Sequence, residues 1–225
     1  MKGRKPATPR GLSVAVRTAK GRSAASQRWL ARQLNDPYVA AAKQQGWRSR
    51  AAFKLAELDD RFRLIRRGAR VVDLGAAPGG WTQVAVRRGA ARVIGVDLLP
   101  VDPVPGAVIL SGDFTEAEMQ QRLSAELGGK ADLVLSDMAP NTTGHAATDH
   151  LRIMALAEAA LAFACQVLAE DGGFVAKVFQ GGAEKSMLDT LKRHFSSVRH
   201  AKPPASRKES SELYVVATGF RITPG

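Results

Sequence analysis

Four short apolar runs in this chain end in or next to an aspartate, Asp73, Asp97, Asp113 and Asp137, and a fifth run, FVAKVF, carries Lys177 near its end. Carboxylates placed this way can hold the hydroxyl or amino groups of a ligand, and an ammonium beside them can hold or move a proton. A single aspartate at the end of a run is more often a turn former. Four in register predict a common rim. Lys177 lies among Phe174, Val175, Ala176, Val178 and Phe179, the composition of a strand buried on both faces. A lysine there is costly unless its ammonium reaches a cleft or a partner. Asp137 is the expected partner, and a lysine snorkelling to solvent is the plainer alternative.

These groups need a ligand to act on, and VVDLGAAPGGWT, residues 71–82, reads as strand, glycine turn and helix start. Gly75, Gly79 and Gly80 remove side chains where the backbone must turn and a ligand must come close. The free amides of the following helix aim at the same spot. The spacing is not the G-x-G-x-x-G of a dinucleotide cradle, so a pyrophosphate is disfavoured. Asp97 follows Gly75 by 22 residues, close to the interval of roughly 20 expected for an acid that binds a ribose diol. Asp113, one strand further out, can accept from an adenine amino group. Trp81 offers either an aromatic wall or a core contact. Together they describe a site for an adenosine-bearing cofactor.

The elements that must position these residues follow from periodicity. Apolar, β-rich runs at 71, 93, 108, 132 and 174 alternate with helical patterns over 79–88, 116–127, 151–170 and 183–194. That alternation predicts an α/β fold with a parallel sheet wrapped by helices. A last run, LYVVATGF, has no helix after it and is expected to return antiparallel at an edge. Upstream, 36–45 reads as a short helix, and Ser49 is placed to cap a longer one running to Arg63. On that helix Leu55, Leu58 and Phe62 form the apolar face, while Arg50, Lys54, Glu57 and Arg61 have the spacing of ordinary solvated charge.

The chain has 225 residues and a net charge of +12, which calls for an anionic partner, nucleic acid first. Residues 1–35 hold nine Lys and Arg and no acid, leaving +3 for the remainder. We therefore divide the chain into a basic, disordered tail over 1–35, compatible with RNA binding, and a folded domain over 36–225. A mitochondrial transit peptide shares the tail's composition, whereas a secretory signal would need an apolar stretch. A cytoplasmic protein of bacterial type is the expectation. The single Cys165 argues against disulfides and a cysteine zinc site, and His145, His150, His194 and His200 show no ligand spacing, so no metal is expected. The apolar helix from Ile153 to Leu168 carries Glu158 and Gln166 and reads as a core helix, not a membrane span.

WRSRAAFKL (47–55), DLGAAPGGWTQ (73–83), VDLLP (96–100), GDF (112–114), SDMAPN (136–141), AKVFQG (176–181) and SELYVVATGF (211–220), in this order and spacing, closely resemble the FtsJ/RrmJ (RlmE) family of ribosomal RNA 2'-O-ribose methyltransferases. The resemblance runs from about Asp36 to the end. It implies a Rossmann-like class I methyltransferase fold with a mostly parallel seven-stranded sheet and an antiparallel edge strand. It also implies use of S-adenosylmethionine, with a Lys-Asp-Lys-Glu catalytic tetrad on Lys54, Asp137, Lys177 and Glu212. Cofactor contacts are implied for Gly79, Trp81, Asp97, Asp113 and Asp137. Trp47 and Phe53 stand where tyrosines are usual, and Gly181-Gly182-Ala183 replaces a glycine-x-glycine.

The implied activity is methyl transfer to the ribose 2'-hydroxyl of a uridine in 23S ribosomal RNA of the large ribosomal subunit, by a monomer without metal or membrane. Lys177 is the candidate general base; if charged, it would orient the hydroxyl or stabilise a developing alkoxide. The basic tail with Arg48, Arg50, Arg61, Arg63, Arg66 and Arg67 is expected to track phosphates. Transfer RNA as substrate, or a non-catalytic ribosome-assembly factor on the same fold, are the alternatives. Cytosine-5 enzymes need a nucleophilic cysteine, for which Cys165 is misplaced. Adenine-amino enzymes place an aromatic where this chain has Met138-Ala139-Pro140-Asn141.

Overall fold

The computed structural model describes residues 24–140, 144–179 and 185–222. The tail before residue 24, Asn141, and the Gly181-Gly182-Ala183 departure lie outside them. Seven strands form one sheet: β1 (Arg70–Leu74), β2 (Arg92–Asp97), β3 (Val108–Ser111), β4 (Ala131–Ser136), β5 (Leu168–Phe179), β6 (Phe195–Ala201) and β7 (Glu212–Phe220), in the order β3-β2-β1-β4-β5-β7-β6. The first five are parallel neighbours, and β7 runs antiparallel to both β5 and β6.

This corrects one expectation. The reversed strand, β7, is not at the edge. It lies between β5 and β6, and β6 forms the margin. Periodicity overlooked β6 because its sequence, FSSVRHA, is half polar, as suits a strand paired on one side only. β7 is apolar because it is covered on both faces, with Tyr214, Val215, Val216 and Ala217 all buried.

The pleat sends alternate side chains into two layers. One face packs Val72, Leu74, Ile94, Val96, Val134 and Phe174 against α5 (Ala117–Leu127), α6 (Ala146–Val167) and α7 (Lys185–His194). The other packs Val71, Val93, Leu133, Leu135 and Val175 against α3 (Ala51–Phe62) and α4 (Gly80–Arg87). By length and composition α6 could cross a bilayer. Its Met154, Ala157, Ala160, Leu161, Phe163 and Ala164 are instead buried against the sheet, which makes it a core helix.

Two N-terminal helices precede α3. In α2 (Pro37–Gln44), Asp36 caps the helix by accepting from the Tyr38 amide at 3.0 Å, with proline at the first position. α1 (Ala24–Leu34) lies inside the stretch that composition left without structure. Its alanines, leucines, glutamines and arginines favour a helix. Ser49 also departs from expectation: α3 starts at Ala51 with no side-chain cap, and the Ser49 hydroxyl is buried without a partner, facing Gly80.

Candidate active site

The connections leave β1 and β4 in opposite directions across the sheet, so a crevice opens at their carboxyl ends. A cleft of ≈ 390 Å³ occupies it, lined by Gly75, Val96, Asp97, Asp113, Phe114 and Met138 among others. That volume belongs to the class of about 300–1,000 Å³ that holds small molecules. Gly75 shows why the loop needs glycine: φ is +80°, and a Cβ there would lie 2.7 Å from Met138 Cγ and 2.9 Å from Met138 Cα. A narrow recess continues inward past Ala76, Ala77, Pro78 and Gly80 to Asp137 and Ser49.

The carboxylate of Asp97 is braced at the end of β2, accepting from the Ala77 amide at 2.9 Å and the Leu99 amide at 2.8 Å. It joins the glycine loop to the next strand, and its remaining lone pairs are available to hydroxyls. Asp113 accepts from the amide and hydroxyl of Thr115 at 2.8 and 2.7 Å, and these bonds hold its carboxyl below the usual range. Both line the cleft. The orphaned Ser49 hydroxyl, the two fixed carboxylates and the side-chain-free wall at Gly75 suit an adenosine-bearing group with a polar tail.

Of the two roles open to Trp81, the structure favours the core contact, although the residue also borders the recess. The Trp81 side chain is in the core, 5.6 Å from the Tyr214 ring, and its indole N–H donates to the Ala51 carbonyl at 2.8 Å. What it can offer a ligand is a backbone amide in the first turn of α4. Gly79 turns the chain into α4 at φ +105°, where a Cβ would meet Arg48 at 2.8 Å. Asp73 leaves the predicted rim altogether: it is fully buried beneath α4, bound to the Thr82 hydroxyl at 2.7 Å, with Oδ1 unpartnered.

Beside the recess, Lys54, Asp137, Lys177 and Glu212 meet, their side chains only 10–16% exposed. Lys54 Nζ bridges Glu212 at 2.8 Å, and Lys177 Nζ lies 3.2 Å from Asp137 Oδ1 while donating to the Asp137 carbonyl at 2.8 Å. The two pairs are joined by a residue that sequence reasoning missed. Tyr214 donates its hydroxyl to Asp137 Oδ1 at 2.8 Å and accepts from Lys54 Nζ at 3.2 Å. Strand pairing sets Tyr214 opposite Lys177, and Glu212 opposite Phe179. The signal was available in the alternation of β7, since Glu212 and Tyr214 share a face.

Burial pushes the Asp137 carboxyl up, but the ammoniums of Lys177 and Lys54 and the Tyr214 hydroxyl outweigh it and leave Asp137 below its ordinary value. Burial first, then Asp137 and Glu212, raise Tyr214 well above the usual phenol, so it stays a donor. The site thus holds two cations and two anions in balance, a buried arrangement whose partners cannot be removed singly without leaving an uncompensated charge.

Lys54 is held in place from behind. Arg50, one turn earlier, pairs with Asp36 at 2.6 Å and donates to the Ala205 carbonyl. Glu57 accepts from the Ala205 amide at 2.7 Å and from Tyr38 at 3.2 Å. A polar pocket of ≈ 210 Å³ opens beside Lys54 and Glu212, bordered by Gln33, Arg50, Arg207 and Ser210.

Of the six arginines expected to track phosphates, Arg50 is committed to this scaffold. Arg48 is likewise tied, to the carbonyls of Pro78, Asp102 and Pro103. Arg61, Arg63, Arg66 and Arg67 follow the run of α3 down to the amino end of β1, away from the cleft. Among the described residues no group of three or more His, Cys, Asp or Glu is placed to share a metal ion.

A family-wide profile of FtsJ-like methyltransferases matches residues 47–220. The chain belongs to the FtsJ-like methyltransferase family. Among relatives, it is 73% identical over 214 residues to the Ribosomal RNA large subunit methyltransferase E of Gluconobacter oxydans, covering 95% of this chain and 80% of that one. It is 72% identical to the protein of the same name from Granulibacter bethesdensis, covering 96% and 94%. A crystallised Plasmodium falciparum protein, described as a ribosomal RNA methyltransferase, superposes with a TM-score of 0.69 at 29% identity, over 77% of this chain and 98% of that one. That Plasmodium structure shares the fold found here.

Proposed function

We propose that this FtsJ-like methyltransferase transfers a methyl group from S-adenosylmethionine to the ribose 2'-hydroxyl of a uridine in 23S ribosomal RNA of the large ribosomal subunit, in the cytoplasm. The observation that carries the reading is the Lys54–Glu212 and Lys177–Asp137 pairs, bridged by Tyr214, at the inner end of a cleft suited to adenosine. The relatives named for large-subunit ribosomal RNA support that substrate class. Asp97 would hold the cofactor's ribose, Asp113 its base, and the amides at the start of α4 with the Ser49 hydroxyl its polar tail.

When bound, the cofactor supplies an electrophilic methyl on a sulfonium, and no metal is required for its transfer. The chain's own work is alignment and one proton transfer. Lys177 Nζ has two directions occupied by Asp137, through Oδ1 and the carbonyl oxygen. One tetrahedral direction is left. The acceptor hydroxyl sits there: with Nζ as the free amine, its lone pair takes the hydroxyl proton as the oxygen attacks, and with Nζ as the ammonium, it orients the hydroxyl and stabilises the developing alkoxide. Lys54, neutralised by Glu212 and fixed by Tyr214, stabilises the charge developing on that oxygen. The pocket bordered by Gln33, Arg50 and Arg207 admits the rest of the nucleotide.

The test is to offer labelled S-adenosylmethionine with large ribosomal subunits or with transfer RNA and look for a dinucleotide that resists alkali, since ribose methylation blocks alkaline cleavage. Label in the subunit's RNA supports the reading. Label only in transfer RNA, or none, refutes it. Lys177→Ala is expected to abolish transfer while leaving cofactor affinity within about twofold.

A further inference from the structure

The arginines that the catalytic site does not use collect at the opposite end of the sheet. Residues 61–70, RFRLIRRGAR, hold five arginines and no acid, and Arg87, Arg88 and Arg92 follow in the second segment. Backbone bonds join the two segments: the Gly68 amide donates to the Gly89 carbonyl at 2.8 Å, and the Ala91 amide to the Ala69 carbonyl at 2.9 Å. Arg70 and Arg92 are paired at the starts of β1 and β2. The whole length of β1, about 15 Å, separates this floor from the cleft.

Carboxylates neutralise part of it. Arg88 pairs with Asp59 and Asp60, Arg92 with Glu126, and Arg66 with Asp132 at 3.7 Å. Among the described residues, the side chains of Arg61, Arg63, Arg67 and Arg70 form no ion pair, and all four are exposed, while Arg87, also exposed, is tied to the Gln45 and Gly46 carbonyls and lies over the Trp47 ring. Arg63 is the telling case. It ends α3 at φ 55°, a left-handed position where glycine is the unstrained choice. An arginine kept in that conformation projects charge at the cost of local strain.

We propose that this floor is a second RNA-docking face, which grips phosphates of a folded RNA segment distinct from the acceptor strand. The inference rests on the ribosomal RNA reading above. Both segments use arginine and no lysine, and the guanidinium fork matches phosphate in two bonds where an ammonium makes a point contact. An anionic membrane fits less well, because the exposed large hydrophobics, Leu34, Leu98, Leu99, Leu151 and Ile222, all lie elsewhere in the sequence. Gripped from both ends of the sheet, a structured subunit is held where a short fragment reaches only the rim.

The test is the variant Arg61→Gln, Arg63→Gln, Arg67→Gln, which keeps the side-chain stems. Binding to purified large subunits is measured across a salt series, and methyl transfer is measured at saturating subunit. We expect affinity to fall about tenfold or more and the slope of log K against log salt to become shallower by about 2–3, as for three lost phosphate contacts. The saturated transfer rate should stay within about twofold of the parent. Unchanged affinity and slope would overturn the proposal. If the triple variant unfolds early, Arg67→Glu alone reads the same effect, with a slope change of about 1 expected and no change overturning it. Binding is read without turnover, so a parent chain that binds subunits but does not methylate them sinks the ribose reading and leaves the docking face to be judged by its own slope.

Discussion

Replacing Asp73 with asparagine isolates the electrostatic burden under the glycine loop. The carboxyl is fully buried, its Oδ1 has no partner, and its pKa is pushed up from 3.8 to about 7, first by burial and then by Asp137 and Asp97, against the Thr82 hydrogen bond. Between those values the folded protein keeps a proton that the unfolded chain has released. Stability from this group is therefore complete below the unfolded pKa, declines as pH rises, and is lost above the folded one. A shift of about 3 units at roughly 1.4 kcal/mol each makes the effect about 4 kcal/mol. Asparagine has the shape of the neutral carboxyl but cannot ionise. Urea unfolding of both proteins at pH 4, 6 and 8 should find them similar at pH 4, with the variant gaining progressively to about 4 kcal/mol at pH 8. Parallel pH curves would refute the reasoning.

Three other outcomes follow from the geometry. Tyr214→Phe keeps the ring against Trp81 but removes both hydroxyl contacts, and single-turnover transfer should slow about 10- to 100-fold, a loss of roughly 1.4–2.7 kcal/mol; a rate equal to the parent's would show that the bridge is idle. Asp97→Ala frees the Ala77 and Leu99 amides and removes the acid expected at the cofactor's ribose, so titration calorimetry should find S-adenosylmethionine affinity at least tenfold weaker. Arg63→Gly relieves the left-handed backbone at φ 55° and should raise the free energy of unfolding by about 0.5–1 kcal/mol; a loss of stability would mean that the strain is not there.

The strand-helix alternation was readable from local composition, which also singled out Asp137 and Lys177, whereas Lys54 and Glu212 came only from the resemblance to family motifs, and the β5–β7 register and the direction of α3 bring the four together. Lys177 was the strongest single sign, since a charge inside FVAKVF has few explanations other than a cleft. Tyr214 was overlooked because a tyrosine in a buried strand is ordinary. Its role comes from the antiparallel register that sets it against Lys177. Asp73 was assigned to the rim because it resembled its three counterparts, but the pleat turns it under α4, where Thr82 takes it. The arginines at the end of α3 and after it were expected to track phosphates by sign of charge alone, and the direction of the helix carries them to the end of the sheet away from the cleft.

The sequence by itself determined the class of fold, the glycine turn, and which residue types could meet a ligand, because local sterics and hydrophobic period are properties of neighbouring residues. Only the tertiary structure decided which of those residues share a site. It placed β7 inside the sheet, joined two ion pairs through one phenol, and separated the arginine floor from the cleft by the length of a strand. Distances between residues far apart in the chain are set by strand order, register and helix direction, and no local pattern encodes those.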